Sequence, residues 1–339
     1  MNHPQGSTGA FTRLCRTLAG CGLPAVLSLA LLAAPWAARA DYPEKPLTLI
    51  VPWAAGGGTD SVARAIASAL EKELGVIVNV VNRTGGSGVV GHSAMATAKP
   101  DGYTIGLITG ELTMMHWQGL TKLTYKDFTP LGMINYDYAG IQVASNAKYQ
   151  DVKSLIQDIA QQPKGTLKAS GTGQGGIWHI ALAGLLLDQQ IAPDQVTWIP
   201  SQGAAPAMVE LVSGGIDIVP SSIAEGRSML DAKRSKALAV MAPERNPSYP
   251  DVPTLKEGLG TGYTIGVWRG IAGPKGLDEQ IAAKLESAIQ AAFQSDTYKG
   301  FMSKQGFGAE WRGRQDFEKF LAENDAMMGD LIEKVGLKR

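Results

Sequence analysis

The alternation of two hydrophobic periods constrains this chain more than any other feature. LTLIVPW (47–53), VIVNVVN (76–82) and YTIGLIT (103–109) are short runs rich in β-branched residues. Between them, SVARAIASALEKEL (61–74) and GVVGHSAMATA (88–98) place apolar residues at helical spacing. A β-α-β-α-β order returns each strand in the same direction, which predicts a parallel sheet covered by helices on both faces. A second unit repeats the device. VKSLIQDIAQQ (152–162), HIALAGLLLDQQ (179–190), APAMVELVSGG (205–215) and SMLDAKR (228–234) read as helices, and TLKAS (166–170), VTWIPS (196–201), IDIVPS (216–221) and KALAVMA (236–242) as strands.

The Pro-rich run APERNPSYPDVPT (242–254) marks a boundary. Beyond it come a strand, YTIGVWRGIAGP (263–274), and two long amphipathic helices over 278–295 and 314–336. Those helices need a sheet to cover, and the first unit has too few helices for its own sheet. The economical arrangement is a two-domain α/β fold, each domain a mostly parallel sheet flanked by helices. Residues 41–140 plus 262–339 form domain 1, residues 141–261 form domain 2, and two crossing segments leave a cleft between them.

Residues 1–40 read as a secretory signal peptide rather than fold. Arg13 and Arg16 lie in a polar n-region, LPAVLSLALLAAPW (23–36) is an apolar stretch short of a comfortable span, and Ala38-Arg39-Ala40 fits the cleavage pattern. Cleavage is expected before Asp41, which predicts a protein exported through that signal. Cys15 and Cys21 both fall in the leader, so no disulfide or thiolate metal site is expected in the remainder. Three of the 31 basic residues and none of the 31 acidic ones lie there too, so the remainder is slightly acidic. With no basic stripe, a nucleic-acid partner is not expected.

The stretch VPWAAGGGTD (51–60) places three glycines between the first strand and the first helix. Glycine is the costliest residue to order, so bare backbone must be needed there. In open α/β sheets, ligands sit at the carboxyl ends of the strands, and a helix N-terminus with glycine backbone accepts an anion. No lysine follows, so a nucleotide P-loop does not fit, nor does GxGxxG; a small carboxylate fits better. ASGTGQGGIWH (169–179) and PSQGAAPAMVE (200–210) repeat the strand–loop–helix pattern. The candidate ligand residues are Trp53, Ala55, Gly56, Gly57, Gly58, Thr59 and Asp60 in the first loop, Gly171, Thr172, Gly173, Gln174, Gly175 and His179 in the second, and Ser201 in the third. Thr59 or Asp60 would also serve as an N-cap, and Trp53 either walls the site or fills core.

No catalytic set accompanies these loops. His92, His116 and His179 are scattered, HExxH is absent, and Gly86-Ser87-Gly88 has the wrong spacing for a nucleophile elbow. A non-enzyme is expected, without metal or cofactor.

The segments YPEKPLTLIVPWAAGGGTDSVAR (42–64), VVNRTGGSGVVG (80–91), AKPDGYTIG (98–106), YKDFTPLGMI (125–134), SGTGQGGIWH (170–179), QGAAPAMVELVSGGID (202–217) and YPDVPTLKEGLG (249–260), in this order, resemble the tripartite tricarboxylate transporter receptors, the Bug family of periplasmic solute-binding proteins. The resemblance spans the chain beyond the leader. It implies a Venus-flytrap fold, a monomer, a small carboxylate held through main-chain groups of Trp53 to Asp60 and Gly171 to His179, and delivery to a two-component membrane permease. The alternative is a ligand-dependent interaction protein that presents a surface to a periplasmic sensor domain. The chain departs from the family pattern at Trp53, where phenylalanine is usual, and in ITGELTMMHWQGL (108–120), which carries Glu111, His116 and Trp117 in place of an Asn-Pro segment.

Overall fold

The alternation over residues 47–109 folds as its pattern predicts. In this computed structural model, which describes residues 42–339, β1 (Leu47–Val51), α1 (Gly58–Leu74), β2 (Val78–Asn82), α2 (Val89–Ala96) and β3 (Thr104–Thr109) follow in turn. The expected leader and its cleavage point lie outside the described residues. β1 pairs parallel with both neighbours, Leu49 standing opposite Val80 on β2 and Ile105 on β3. α1 buries Val62, Ile66 and Leu70, one residue per turn along one stripe. It stops at Gly75, whose left-handed backbone returns its N–H to the Glu71 carbonyl.

β4 (Phe128–Tyr138) runs into β5 (Gly140–Ala144) with only Ala139 between them. The second unit then supplies α3 (Val152–Gln161), β6 (Lys168–Ala169), α4 (Ile177–Asp188), β7 (Thr197–Trp198), α5 (Ala204–Ser213), α6 (Arg227–Asp231), β8 (Ser235–Val240) and α7 (Leu255–Leu259). The chain ends through β9 (Gly266–Pro274), α8 (Glu279–Gln294), α9 (Asp296–Gln305), β10 (Ala309–Arg312) and α10 (Arg314–Lys334).

Six strands make a large sheet in the order β10-β4-β9-β3-β1-β2. Its β2-β1-β3 block is parallel, and β9, β4 and β10 extend it antiparallel. The sequence pattern marks no strand over 128–144, yet β4 lies at the centre of the extension. Its pairing with β9 shifts register between Pro130 and Gly132, a bulge that erases the period-two alternation. In the second unit β5 pairs with β8 antiparallel and β6 with β7 parallel. The run IDIVPS forms only bridges, Ile218 to Ala169 and Val219 to Gln142; Pro220 has no N–H to extend a ladder.

α10 is shared between cores. Near its start, Phe317 and Leu321 pack with Trp268 of β9 against the large sheet. Near its end, Met328 and Ile332, with Val335 just beyond it, join the apolar cluster that holds Ile180 and Leu185 of α4. Phe317 is fully buried, edge-on to Trp268 at a centroid distance of 5.6 Å. Phe317→Ala should cost roughly 3–5 kcal/mol, the usual range for emptying a buried aromatic site. Urea unfolding of the two proteins measures it.

Candidate functional site

Three helices begin at one small cavity. Gly57, Gly58 and Thr59 at the start of α1, Ile177 and Trp178 at the start of α4, and Gly203 to Pro206 at the start of α5 share its wall. The first N–H groups of a helix have no carbonyl one turn back, and each N-terminus carries roughly half a positive charge. Convergence of three contributes positive potential from backbone alone, set against the Glu111 and Glu225 carboxyls that also line the cavity. None of the three has a side-chain N-cap bond, so this donor capacity faces the cavity unspent by its own caps. The enclosed volume is about 20 Å3, room for about one water molecule. A larger hollow of about 470 Å3 lies between the Pro243–Ser248 segment and Phe307, but no helix of eight or more residues begins at it.

α1 starts at Gly58, two or three residues earlier than a Thr59 or Asp60 cap would give. Asp60 sits inside the first turn and reaches back, Oδ2 accepting the Gly56 N–H at 2.9 Å. Burial pushes its carboxyl up, but donation from Arg64, Gly56 and Asn82 outweighs this and holds it below the ordinary carboxylate value. Asn82 also donates to the Trp53 carbonyl at 2.9 Å. Asp60 therefore shapes the loop and does not line the cavity.

A relay of hydrogen bonds crosses the cleft. The Trp53 indole N–H donates to Thr109 Oγ1 (3.2 Å), Thr109 donates to Glu111 Oε2 (2.6 Å), and Glu111 Oε1 accepts the Ile177 N–H (3.2 Å). Glu111 is 2% exposed, and a carboxylate from the end of β3 thus occupies one amide of the α4 N-terminus. Burial raises its pKa, opposed by these donors and by Arg269.

Arg269 of β9 lies beneath the cavity and is 1% exposed. Nε donates to Thr59 Oγ1 at 3.0 Å, Nη1 to Asn135 Oδ1 at 2.5 Å and Asp137 Oδ2 at 2.8 Å, and Nη2 to Glu225 Oε1 at 2.6 Å. Asn135 and Asp137 belong to β4, whereas Glu225 lies in the 3-10 turn Ile223–Gly226 of the second unit. Burial pushes Glu225 from its ordinary 4.5 to about 7; Arg269 opposes the shift, and Asp137 and Glu111 reinforce it. A Cβ on Gly58 would overlap the Glu225 carboxylate, so glycine is required there for close approach.

Five of the residues expected from the sequence line the cavity: Trp53, Gly57, Gly58, Thr59 and Thr172. Ala55, Gly56, Asp60, Gly171, Gly173, Gln174, Gly175, His179 and Ser201 lie outside its lining. Several of these serve the seam between the two units instead. Gly175, at φ +71°, accepts from Gln118 Nε2 through its carbonyl at 2.8 Å, and a Cβ there would collide with the Gln118 side chain. Ser87 donates to the Gln174 carbonyl at 3.3 Å. His179 stacks on Trp198, and its Nδ1 accepts the Gly175 N–H at 3.0 Å; burial lowers its pKa to about 4 and keeps it neutral. Ser201 donates to the Gly203 carbonyl. Glu111, Trp178, Glu225 and Arg269 were missed as site residues. The signal for Arg269 was a charge inside the apolar strand GVWRGIAGP, since a buried charge must be paired. Among the described residues no group of three or more metal-ligating side chains is present.

The model of the tripartite tricarboxylate transporter family receptor matches residues 62–337. A UPF0065 protein from Pseudomonas sp. strain P51 is 30% identical over 287 residues, 82% of this chain and 84% of the relative. A TctC solute-binding protein from Polaromonas, solved with no ligand, is 34% identical with TM-score 0.65, over 86% of this chain and 99% of its own. An R. palustris protein with adipate is 25% identical with TM-score 0.82, over 87% and 99%.

Two outcomes follow for the arginine network. Arg269→Leu leaves Asp137 and Glu225 buried without their cation and should cost roughly 3–5 kcal/mol in chemical unfolding. Because Glu225 binds its proton more tightly folded than unfolded, its contribution to stability is full below 4.5 and is lost as pH rises to about 7. Glu225→Gln should flatten the melting temperature across that interval, as read by calorimetry at a series of pH values.

Proposed function

Because the chain belongs to the tripartite tricarboxylate transporter receptor family, we propose that it is a periplasmic receptor that captures a small carboxylate in this cavity and delivers it to a two-component membrane permease. The solute-binding role follows from the family. The observation that carries the carboxylate is the convergence of α1, α4 and α5 N-termini on one cavity. Backbone amides and aligned dipoles favour an anion without a basic surface, in keeping with the acidic balance beyond the leader. The adipate bound to the R. palustris relative is a ligand of that chemistry.

Capture requires movement, since about 20 Å3 admits no organic acid. We assign residues 41–140 plus 262–339 to one lobe and 141–261 to the other, hinged where β4 passes into β5 and where the chain re-enters β9. The relation between sequence and shape supports this. The 34%-identical ligand-free relative has TM-score 0.65, the 25%-identical adipate-bound one 0.82, an order that a hinge between lobes would produce. The leader pattern supports a periplasmic location.

Gly58→Ala tests the closed grip, because its Cβ meets Glu225 only when the lobes are together. It should weaken binding of the native solute at least about tenfold, a loss of ~1.4 kcal/mol, and leave the unfolding transition cooperative. Gly300→Ala, where a Cβ meets nothing within 4 Å, should bind as the wild type does. Isothermal calorimetry on refolded, solute-stripped protein reads both. Equal affinity for Gly58→Ala and wild type would remove α1 from the binding site.

A further inference from the structure

Two polar atoms of the cavity wall have no partner. Glu225 Oε2 and Thr172 Oγ1 are buried without a hydrogen bond, although the Glu225 side chain is 5% exposed and Thr172 3%. The Trp178 indole lies near enough to favour the charged form of Glu225 without closing a bond to Oε2. Buried polar atoms in folded proteins are nearly always satisfied, and each exception needs an explanation. Both residues line the cavity, together with Gly58 and Ile177 of the helix ends.

The charges around that space are unequal. Glu111 and Glu225 both line it, and Arg269 is the single lining cation. Four of the arginine's five N–H donors are engaged, Nε with Thr59, Nη1 with Asn135 and Asp137, and Nη2 with Glu225. The one Nη2 N–H left over cannot form the two-donor fork that grips a ligand carboxylate. One α4 amide, that of Ile177, is likewise taken by Glu111. The α1 and α5 N-termini remain for one carboxylate. A second would face Glu225 Oε2 with Glu111 beside it, and a carboxylate has no hydrogen to give the two orphaned acceptors.

We infer that this cleft selects a ligand with one carboxylate and one protonated amine, the carboxylate on the α1 and α5 amides and the amine donating to Glu225 Oε2 and Thr172 Oγ1. The inference rests on the carboxylate-receptor reading and narrows it: an ammonium supplies donors to both orphaned acceptors and offsets the surplus negative charge. Since a Cβ at Gly58 would touch the Glu225 carboxylate, the two subsites are only a few atoms apart. A short amino acid spans them.

The test is isothermal calorimetry of the refolded, solute-stripped protein with three matched sets: L-alanine, β-alanine and γ-aminobutyrate; propionate and butyrate; succinate and glutarate. At least one amino acid should bind about tenfold or more tighter than the simple acid and the diacid of its length, the usual scale of a charge-assisted hydrogen bond. Glu225→Gln should erase that preference and bring the diacid level with the amino acid. Thr172→Val, which keeps the charge, should weaken the amino acid less and leave the diacid unchanged. A diacid binding more tightly than every amino acid would overturn the amine subsite and leave the carboxylate receptor standing. An amine preference that survives Glu225→Gln would also overturn it. Binding by none of the seven acids would overturn both readings together.

Discussion

The bond between Arg269 and Glu225 holds the cleft in the shape seen here. Arg269 stands in β9, and its side chain gathers Thr59 from the first helix and Asn135 and Asp137 from β4 before it reaches Glu225 across the seam. An arginine buried in the middle of a sheet is tolerable only if its donors are met. The partners that meet them come from both units of the chain. One side chain therefore fixes the floor of the cavity, the start of α1 and the approach of the second unit together.

Around that bond, the glycines divide their labour. Gly58 admits Glu225 to the end of α1, and Gly175 admits Gln118 to the second loop. Both are places where chain must come against chain, and side chains would hold the surfaces apart. Bare backbone here lets two faces meet closely, and on the receptor reading it would also expose amides to a small anion. α10 adds a constraint of another kind. Its early turns pack on Trp268 and its last on the α4 cluster, so any separation of the faces has to be absorbed along that helix or where its contacts slide.

How much of this is legible in the chain depends on how local the signal is. The loops over 53–60 and 171–179 declare themselves because strand, glycine and helix are contiguous, and eight of their residues line the cavity. Glu225 and Arg269 do not, since 44 residues separate them and only the folded topology brings the 3-10 turn to the middle of β9. Glu111 follows the end of β3, the same strand-end position as the glycine loops, but lacks their pattern. β4 hides for a different reason: Pro130 and Gly132 force a bulge, and a bulged strand loses its alternation. The helix start at Gly58 precedes the polar residues expected to cap it, because Asp60 completes the turn from within.

Recognition by helix ends has an evolutionary side. An amide N–H belongs to every residue but proline, so on the receptor reading few substitutions would delete the amides that the starts of α1 and α5 present. Among the side chains around them, Thr172 bonds nothing through its hydroxyl and could change without breaking the Arg269–Glu225 bond. On that reading, a lineage built on this scaffold could drift from one nutrient to another by exchanging wall residues, keeping its hold on the acid while new chemistry is tried at the other end.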